Sequence, residues 1–152
     1  MISFRTAIQS SLLAAAVTLA GCSWMPWMSS DSMGTSMTSR LTGANEVPPA
    51  ATDGSGTVNA TFNKDTNVLT WRVAYSGVSG PVSAGHIHGP AVAGANAGVL
   101  IPFTGSVASP FEGKATLTAA QAADLMAGRL YVNLHTAKYP GGELRAQLTP
   151  GK

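Results

Sequence analysis

Gly56-Thr57-Val58-Asn59-Ala60-Thr61-Phe62, then Asn63-Lys64-Asp65-Thr66-Asn67, then Val68-Leu69-Thr70-Trp71-Arg72-Val73-Ala74-Tyr75 is the run that decides the fold class. Val58, Ala60 and Phe62 alternate with Thr57, Asn59 and Thr61. Successive side chains of a strand project to opposite sides, so this alternation makes one face apolar and leaves the other wet. The polar loop and the second β-branched, aromatic run complete a β-hairpin.

Working outward, short runs rich in Val, Thr, Tyr and Phe recur between Gly, Pro and Asn at spacings of about 10 residues, the rhythm of an all-β sandwich or barrel. Further strands are expected at Val82 to His88, Gly98 to Phe103, Gly113 to Leu117, Leu130 to His135 and Glu143 to Leu148. Between Leu117 and Leu130, the segment Thr118 to Gly128 carries a Thr N-cap, a Gln at the third helical position and a Gly stop. That segment predicts one short helix near 118–127. About eight short strands without long crossover helices predict an antiparallel β-sandwich of immunoglobulin-like or Greek-key type.

Met1 to Cys22 reads differently. Arg5 precedes the apolar run Ala14 to Leu19, and Leu19-Ala20-Gly21-Cys22 ends it with small residues and a cysteine. The run is shorter than the roughly 20 apolar residues needed to span a bilayer, and it has the layout of a secretory signal. Its ending resembles the lipobox of bacterial lipoproteins, which implies a signal peptide over 1–21, cleavage before Cys22 and lipid on that cysteine. Cys22 is the one Cys in the sequence, so no intrachain disulfide is available and lipidation gives the thiol a role. The expected location is outside the cytoplasm, on the periplasmic or cell-surface side of the envelope. Ser23, where an Asp often marks retention at the inner membrane, favours the outer membrane.

From Cys22 to Ser39 the chain is rich in Ser, Met, Gly and Thr without a strand or helix period, and is expected to be a flexible tether ahead of a domain spanning 40–150. With 9 Lys and Arg against 7 Asp and Glu, and Arg5 lost with the signal, no cluster of positive charge is left to hold nucleic acid. The expected membrane contact is therefore the lipid on Cys22, and the protein partner stays unidentified.

All 3 histidines fall in two stretches, Ala84-Gly85-His86-Ile87-His88-Gly89-Pro90 and Val132-Asn133-Leu134-His135-Thr136-Ala137. On a strand, His86 and His88 share one face about 7 Å apart, close enough for both to meet one ion. If the strand ending at His135 lies beside theirs, the three imidazoles form a three-nitrogen site with an open position. Neutral imidazole suits copper and zinc, and copper binds it more tightly. The competing reading has the histidines hydrogen-bonded to loops at a strand edge. Met25, Met28, Met33 and Met37, beside Trp24 and Trp27, are candidate auxiliary Cu(I) ligands, or alternatively apolar groups resting on the membrane surface. Tyr139, Glu143 and Arg145 are candidates to orient the histidines, and otherwise serve turns and strand edges. No Gly-x-Ser-x-Gly elbow or phosphate-binding glycine loop is present, so the sequence names no catalytic residue.

Three stretches together resemble the CHRD domain, first described in chordin: Leu41-Thr42-Gly43-Ala44-Asn45-Glu46-Val47-Pro48-Pro49, Gly85-His86-Ile87-His88-Gly89-Pro90-Ala91, and Tyr131 through Gln147 with its Pro140-Gly141-Gly142-Glu143 turn. The resemblance runs from about Leu41 to Leu148 and implies an immunoglobulin-like β fold, but no established reaction. More distantly, Gly85-His86-Ile87-His88 is similar to the copper-ligand strand of Cu/Zn superoxide dismutases. With 3 His and 1 Cys, the chain lacks the bridging imidazole, the zinc loop and the disulfide of those enzymes. The leading expectation is an exported lipoprotein that binds a metal ion, copper ahead of zinc, through His86, His88 and His135. A metal-free protein- or glycan-binding module and a dismutase-like redox enzyme are the alternatives.

Overall fold

The computed structural model describes residues 34–151. Cys22, Met25, Met28, Met33 and the signal segment lie outside the described residues. Eight strands follow in chain order: β1 Thr35–Thr42, β2 Ser55–Asn63, β3 Val68–Ser76, β4 Val82–His88, β5 Val99–Pro102, β6 Phe111–Thr116, β7 Leu130–Thr136 and β8 Leu144–Leu148. One helix, α1 Ala119–Met126, separates β6 from β7. The β2–β3 hairpin forms in the register its alternation demands: Val58 faces Val73, Ala60 faces Trp71 and Phe62 faces Leu69.

All pairings are antiparallel, and the strands hydrogen-bond in the order β5-β4-β7-β8-β1-β2-β3-β6. The sheet is continuous, but its middle is held by a single bridge, Thr42 opposite Arg145, between β1 and β8. It therefore behaves as two four-stranded halves folded onto each other, the sandwich-like arrangement expected. The inward residues of both halves form one core that includes Val58, Phe62, Leu69 and Val73 from one side and Ile87, Val132, Leu134 and Ala146 from the other. Gly85 on β4 belongs to this inner face. A Cβ there would stand 2.7 Å from the Phe103 ring and 2.9 Å from Leu134, so glycine is what lets Phe103 close the core and pack, tilted, against Trp71.

The helix starts as its sequence predicts. The Thr118 hydroxyl accepts from the backbone N–H of Gln121, and the Gln121 side chain accepts from the N–H of Thr118, a reciprocal capping box. Leu125 is its buried residue.

One boundary differs from expectation. Thr35 to Ser39 are not tether but most of β1, paired with β2 from Thr35 opposite Phe62 to Thr42 opposite Ser55. Met37 is 1% exposed, enclosed in the core opposite Ala60. Its side chain therefore contributes to packing and is withdrawn as a Cu(I) ligand. The strand escapes notice in the sequence because Met37 and Leu41 are the only large apolar side chains on its inner face, with Ser39 between them. It is pairing with β2, rather than its own apolar alternation, that makes this segment a strand.

Candidate metal centre

β4 and β7 lie side by side, and their register places Ala84 opposite His135, His86 opposite Asn133 and His88 opposite Tyr131. Residues that pair across a ladder project to the same side. The outer face of this half accordingly carries His86 and His88 from β4, Tyr131, Asn133 and His135 from β7, and Arg145 and Gln147 from β8. An outer sheet face is ordinarily solvated, yet Tyr131, Asn133 and Arg145 are buried. Three connections contribute to covering it: the segment after β1 that holds Glu46, the β4–β5 loop with Ala91 to Ala97, and the β7–β8 turn with Pro140 to Gly142.

The three histidines converge. One ring nitrogen from each lies within 4.8 Å of the others. Nδ1 of His86 is 2.9 Å from Nε2 of His135, and the His86 ring is edge-on to both neighbours, 5.4 Å from His88 and 4.8 Å from His135 between centroids. The backbone settles which nitrogens are free. Nδ1 of His135 bonds the carbonyl of Pro140 at 2.9 Å, and Nδ1 of His88 bonds the carbonyl of Ala97 at 3.0 Å. A carbonyl only accepts, so both Nδ1 atoms carry the proton and both Nε2 atoms hold a lone pair. His88 Nε2 is buried and has no hydrogen-bond partner.

The surroundings favour the neutral form of His86 and His88. The pKa of His86 is pushed below its ordinary value of 6.5 by burial, and then by the neighbouring His135 and His88. Burial also depresses His88, with the Ala97 carbonyl pulling the other way and His135 and Arg145 adding to the depression. A neutral, partly shielded imidazole offering an unshared pair is the form that ligates a metal.

Arg145 reaches this site indirectly. Its guanidinium lies 3.5 Å from the centre of the Tyr131 ring and donates to Asn96 Oδ1 at 3.0 Å and to the Ala95 carbonyl at 2.5 Å. The Tyr131 ring is in turn stacked on His88, 4.9 Å between centroids and 6° from parallel. Tyr139 and Glu143, the other two residues singled out to orient the histidines, bond elsewhere. Tyr139 donates its hydroxyl to the Ala51 carbonyl, and Glu143 gathers Thr52, Ser79 and Thr136. The groups that orient the histidines are instead the Ala97 and Pro140 carbonyls, which no residue type announces in a sequence.

Sequence reasoning also missed Tyr131, Asn133 and the proper place of Glu46. Asn133 Nδ2 donates to Glu46 Oε1 at 2.8 Å, in a buried contact. Burial raises the Glu46 pKa to about 7 despite Arg145, Asn133 and the Val47 N–H, all of which favour its charged form. Gly142, at φ +134°, passes directly over this pair, and a Cβ there would fall 2.2 Å from Asn133 Nδ2. The signal for Asn133 was present in the strand period, since it sits two residues before His135 on the same face.

A profile of the CHRD domain matches residues 37–148. The chain belongs to the CHRD domain family. The match covers all eight strands apart from the first two residues of β1, and it contains the three histidines. No curated protein and no solved structure matches the chain. The three-histidine cluster of this CHRD domain is a group of side chains able to hold a metal ion, and the chain around it is an antiparallel, sandwich-like β domain with one helix.

Proposed function

We propose that this CHRD protein binds a copper ion in the cell envelope through His86, His88 and His135, as a lipoprotein anchored by Cys22. The observation that carries the reading is the buried, unpartnered Nε2 of His88 beside two other histidines, His86 and His135, that share a hydrogen bond an ion would replace. A buried polar atom left unpaired costs about 1–3 kcal/mol, and an ion on this nitrogen removes that cost. The distances are compatible. Ligands at about 2 Å from one ion in tetrahedral geometry stand roughly 3.3 Å apart. The His86–His135 pair is at 2.9 Å, and the nitrogens all fall within 4.8 Å, so modest ring rotation closes the set.

Three neutral imidazoles with one position left open match copper and zinc, and copper is held more tightly among divalent ions. Carbonyl oxygens bonded to the far nitrogens of His88 and His135 are the usual outer support of metal-bound histidine. The lipobox ending at Cys22 supports export and anchoring, which mass spectrometry of the isolated protein checks by the mass of diacylglycerol and acyl groups on an N-terminal Cys22.

The deciding test is titration of the purified protein with Cu(II), Cu(I) and Zn(II), with bound metal counted after desalting. One tightly held copper per chain, lost in a His86→Ala, His88→Ala variant that keeps its β-sheet circular dichroism, is the expected result. No retained metal would overturn the reading and leave a protein- or glycan-binding module as its replacement.

A further inference from the structure

Four buried side-chain polar atoms have no hydrogen-bond partner among the described residues, and three of them, His88 Nε2, Asn133 Oδ1 and Gln147 Oε1, belong to the outer face that carries the histidines. Gln147 lies toward β8, opposite Tyr131, where its amide nitrogen donates to the carbonyls of Ala91 and Gly128. Asn133 lies in the middle. It faces His86 across the β4–β7 ladder, precedes His135 by two residues on its own strand, and follows by two residues the Tyr131 that faces His88. It is 3% exposed.

While Glu46 is ionised, the carboxamide cannot satisfy its oxygen by turning over. Its nitrogen donates to Glu46 Oε1 at 2.8 Å, and Gly142 closes over that contact without room for a Cβ. A turned carboxamide would set oxygen against oxygen wherever Glu46 is ionised. Asn133 Oδ1 is thus held in one orientation, buried and unpaired, a state that costs about 1–3 kcal/mol unless something on this face meets it. The same holds for His88 Nε2, and two orphaned lone pairs on one crowded face have a common remedy.

Building on the copper reading above, we infer that Asn133 Oδ1 is the fourth donor of the histidine site, an amide oxygen that makes the site favour Cu(II) over Cu(I). Three imidazoles alone suit either oxidation state. Amide oxygen is a hard donor that stabilises the divalent ion and adds little to the monovalent one. The Glu46 carboxylate acts through Asn133, and Gly142 seals the contact, so the Asn45-Glu46-Val47 and Gly141-Gly142-Glu143 stretches acquire a role in setting the ion's oxidation state.

The whole protein, Asn133→Leu and Asn133→Asp are each titrated with Cu(II) and with Cu(I) against competing chelators. Asn133→Leu is expected to lower the Cu(II) to Cu(I) affinity ratio by about tenfold or more, the size typical of supporting groups at metal sites, with Cu(I) affinity little changed. Asn133→Asp is expected to raise that ratio, the Glu46 carboxyl taking up a proton to bond one carboxylate oxygen while the other strengthens the contact with the ion. On the unmodified protein, stoichiometric Zn(II) should move the side-chain carboxamide 13C resonance of Asn133, a readout that does not depend on either variant folding. An unchanged ratio in folded variants, or an unmoved carboxamide resonance with Zn(II) bound, would overturn the assignment while leaving the histidine site standing. Failure of the unmodified protein to retain any metal would instead remove both.

Discussion

Nδ1 of His86 and Nε2 of His135 lie 2.9 Å apart although 49 positions separate them in the chain. Because Nδ1 of His135 already donates to Pro140, its Nε2 must accept, and the shared proton sits on His86 Nδ1. The pair is therefore a hydrogen bond; an ion bound as proposed would displace its proton, which His86 would carry on Nε2 instead.

This arrangement sets the pH dependence of binding. With His86 and His88 both held below the ordinary 6.5, these two ligands favour the neutral form that binds an ion. Copper affinity should be flat from about pH 8 to pH 6.5 and fall only on further acidification, as the imidazoles protonate. Competition titrations across that range check it; a steep fall between pH 8 and 7 would contradict the neutral cluster.

Glu46 also bears on stability. Its pKa is about 7 in the fold against an ordinary 4.5, so the fold binds its proton more tightly than the unfolded chain does. That contribution is fully present below about pH 4.5 and is lost as pH rises through about 7. Glu46→Gln should gain stability relative to the natural protein on going from pH 5 to pH 8, by up to about 3 kcal/mol. Denaturant unfolding at both pH values measures the difference, and equal stability increments at the two would refute it. His86 and His88 contribute with the opposite sign, but they are common to both proteins and cancel in the comparison.

Glu143 ties three segments together beneath the β7–β8 turn. Its carboxylate accepts from Thr52 Oγ1 at 2.6 Å, from the Ser79 N–H at 2.8 Å and hydroxyl at 2.6 Å, and from Thr136 Oγ1 at 2.5 Å. Burial works to raise its pKa, and the combined hydrogen bonds from Ser79, Thr136 and Thr52 outweigh that and lower it. Its stabilisation is present above 4.5 and lost as pH falls through the depressed value. Glu143→Ala should cost about 1–3 kcal/mol at pH 7, since it strands the buried Thr136 hydroxyl and removes the shared partner of Thr52 and Ser79. Thermal unfolding reads the loss, and a shift of under a degree would show the network to be dispensable.

Met37 separates strand from tether. Met37→Ala should destabilise the protein by about 2–5 kcal/mol, as truncation of a well-packed core methionine does, and leave copper stoichiometry at one per folded chain. An undiminished unfolding midpoint would return the segment to the tether.

The β2–β3 hairpin, α1 with its Thr118–Gln121 box and the strand carrying His86 and His88 were all legible before the structure, because each rests on a local signal: alternation, a cap, a turn. β1 was less legible, since its inner face holds Ser39 between Met37 and Leu41. The histidine site was half legible. The spacing of His86 and His88 named two members and the placement of His135 named the third, whereas the carbonyls of Ala97 and Pro140 carry no residue identity to read.

What the sequence determined by itself is therefore the seven strands from β2 to β8, the single helix, the CHRD membership and the identity of the three histidines, because those depend on residue type and on spacings within a few positions. What only the tertiary structure decided is the β4–β7 register that sets His86 2.9 Å from His135, the burial of Met37, and the enclosure of Asn133 between Glu46 and Gly142. These depend on contacts between residues tens of positions apart, where the gain comes from filling one shared core and covering one sheet face, and no local pattern specifies which distant loop will do the covering.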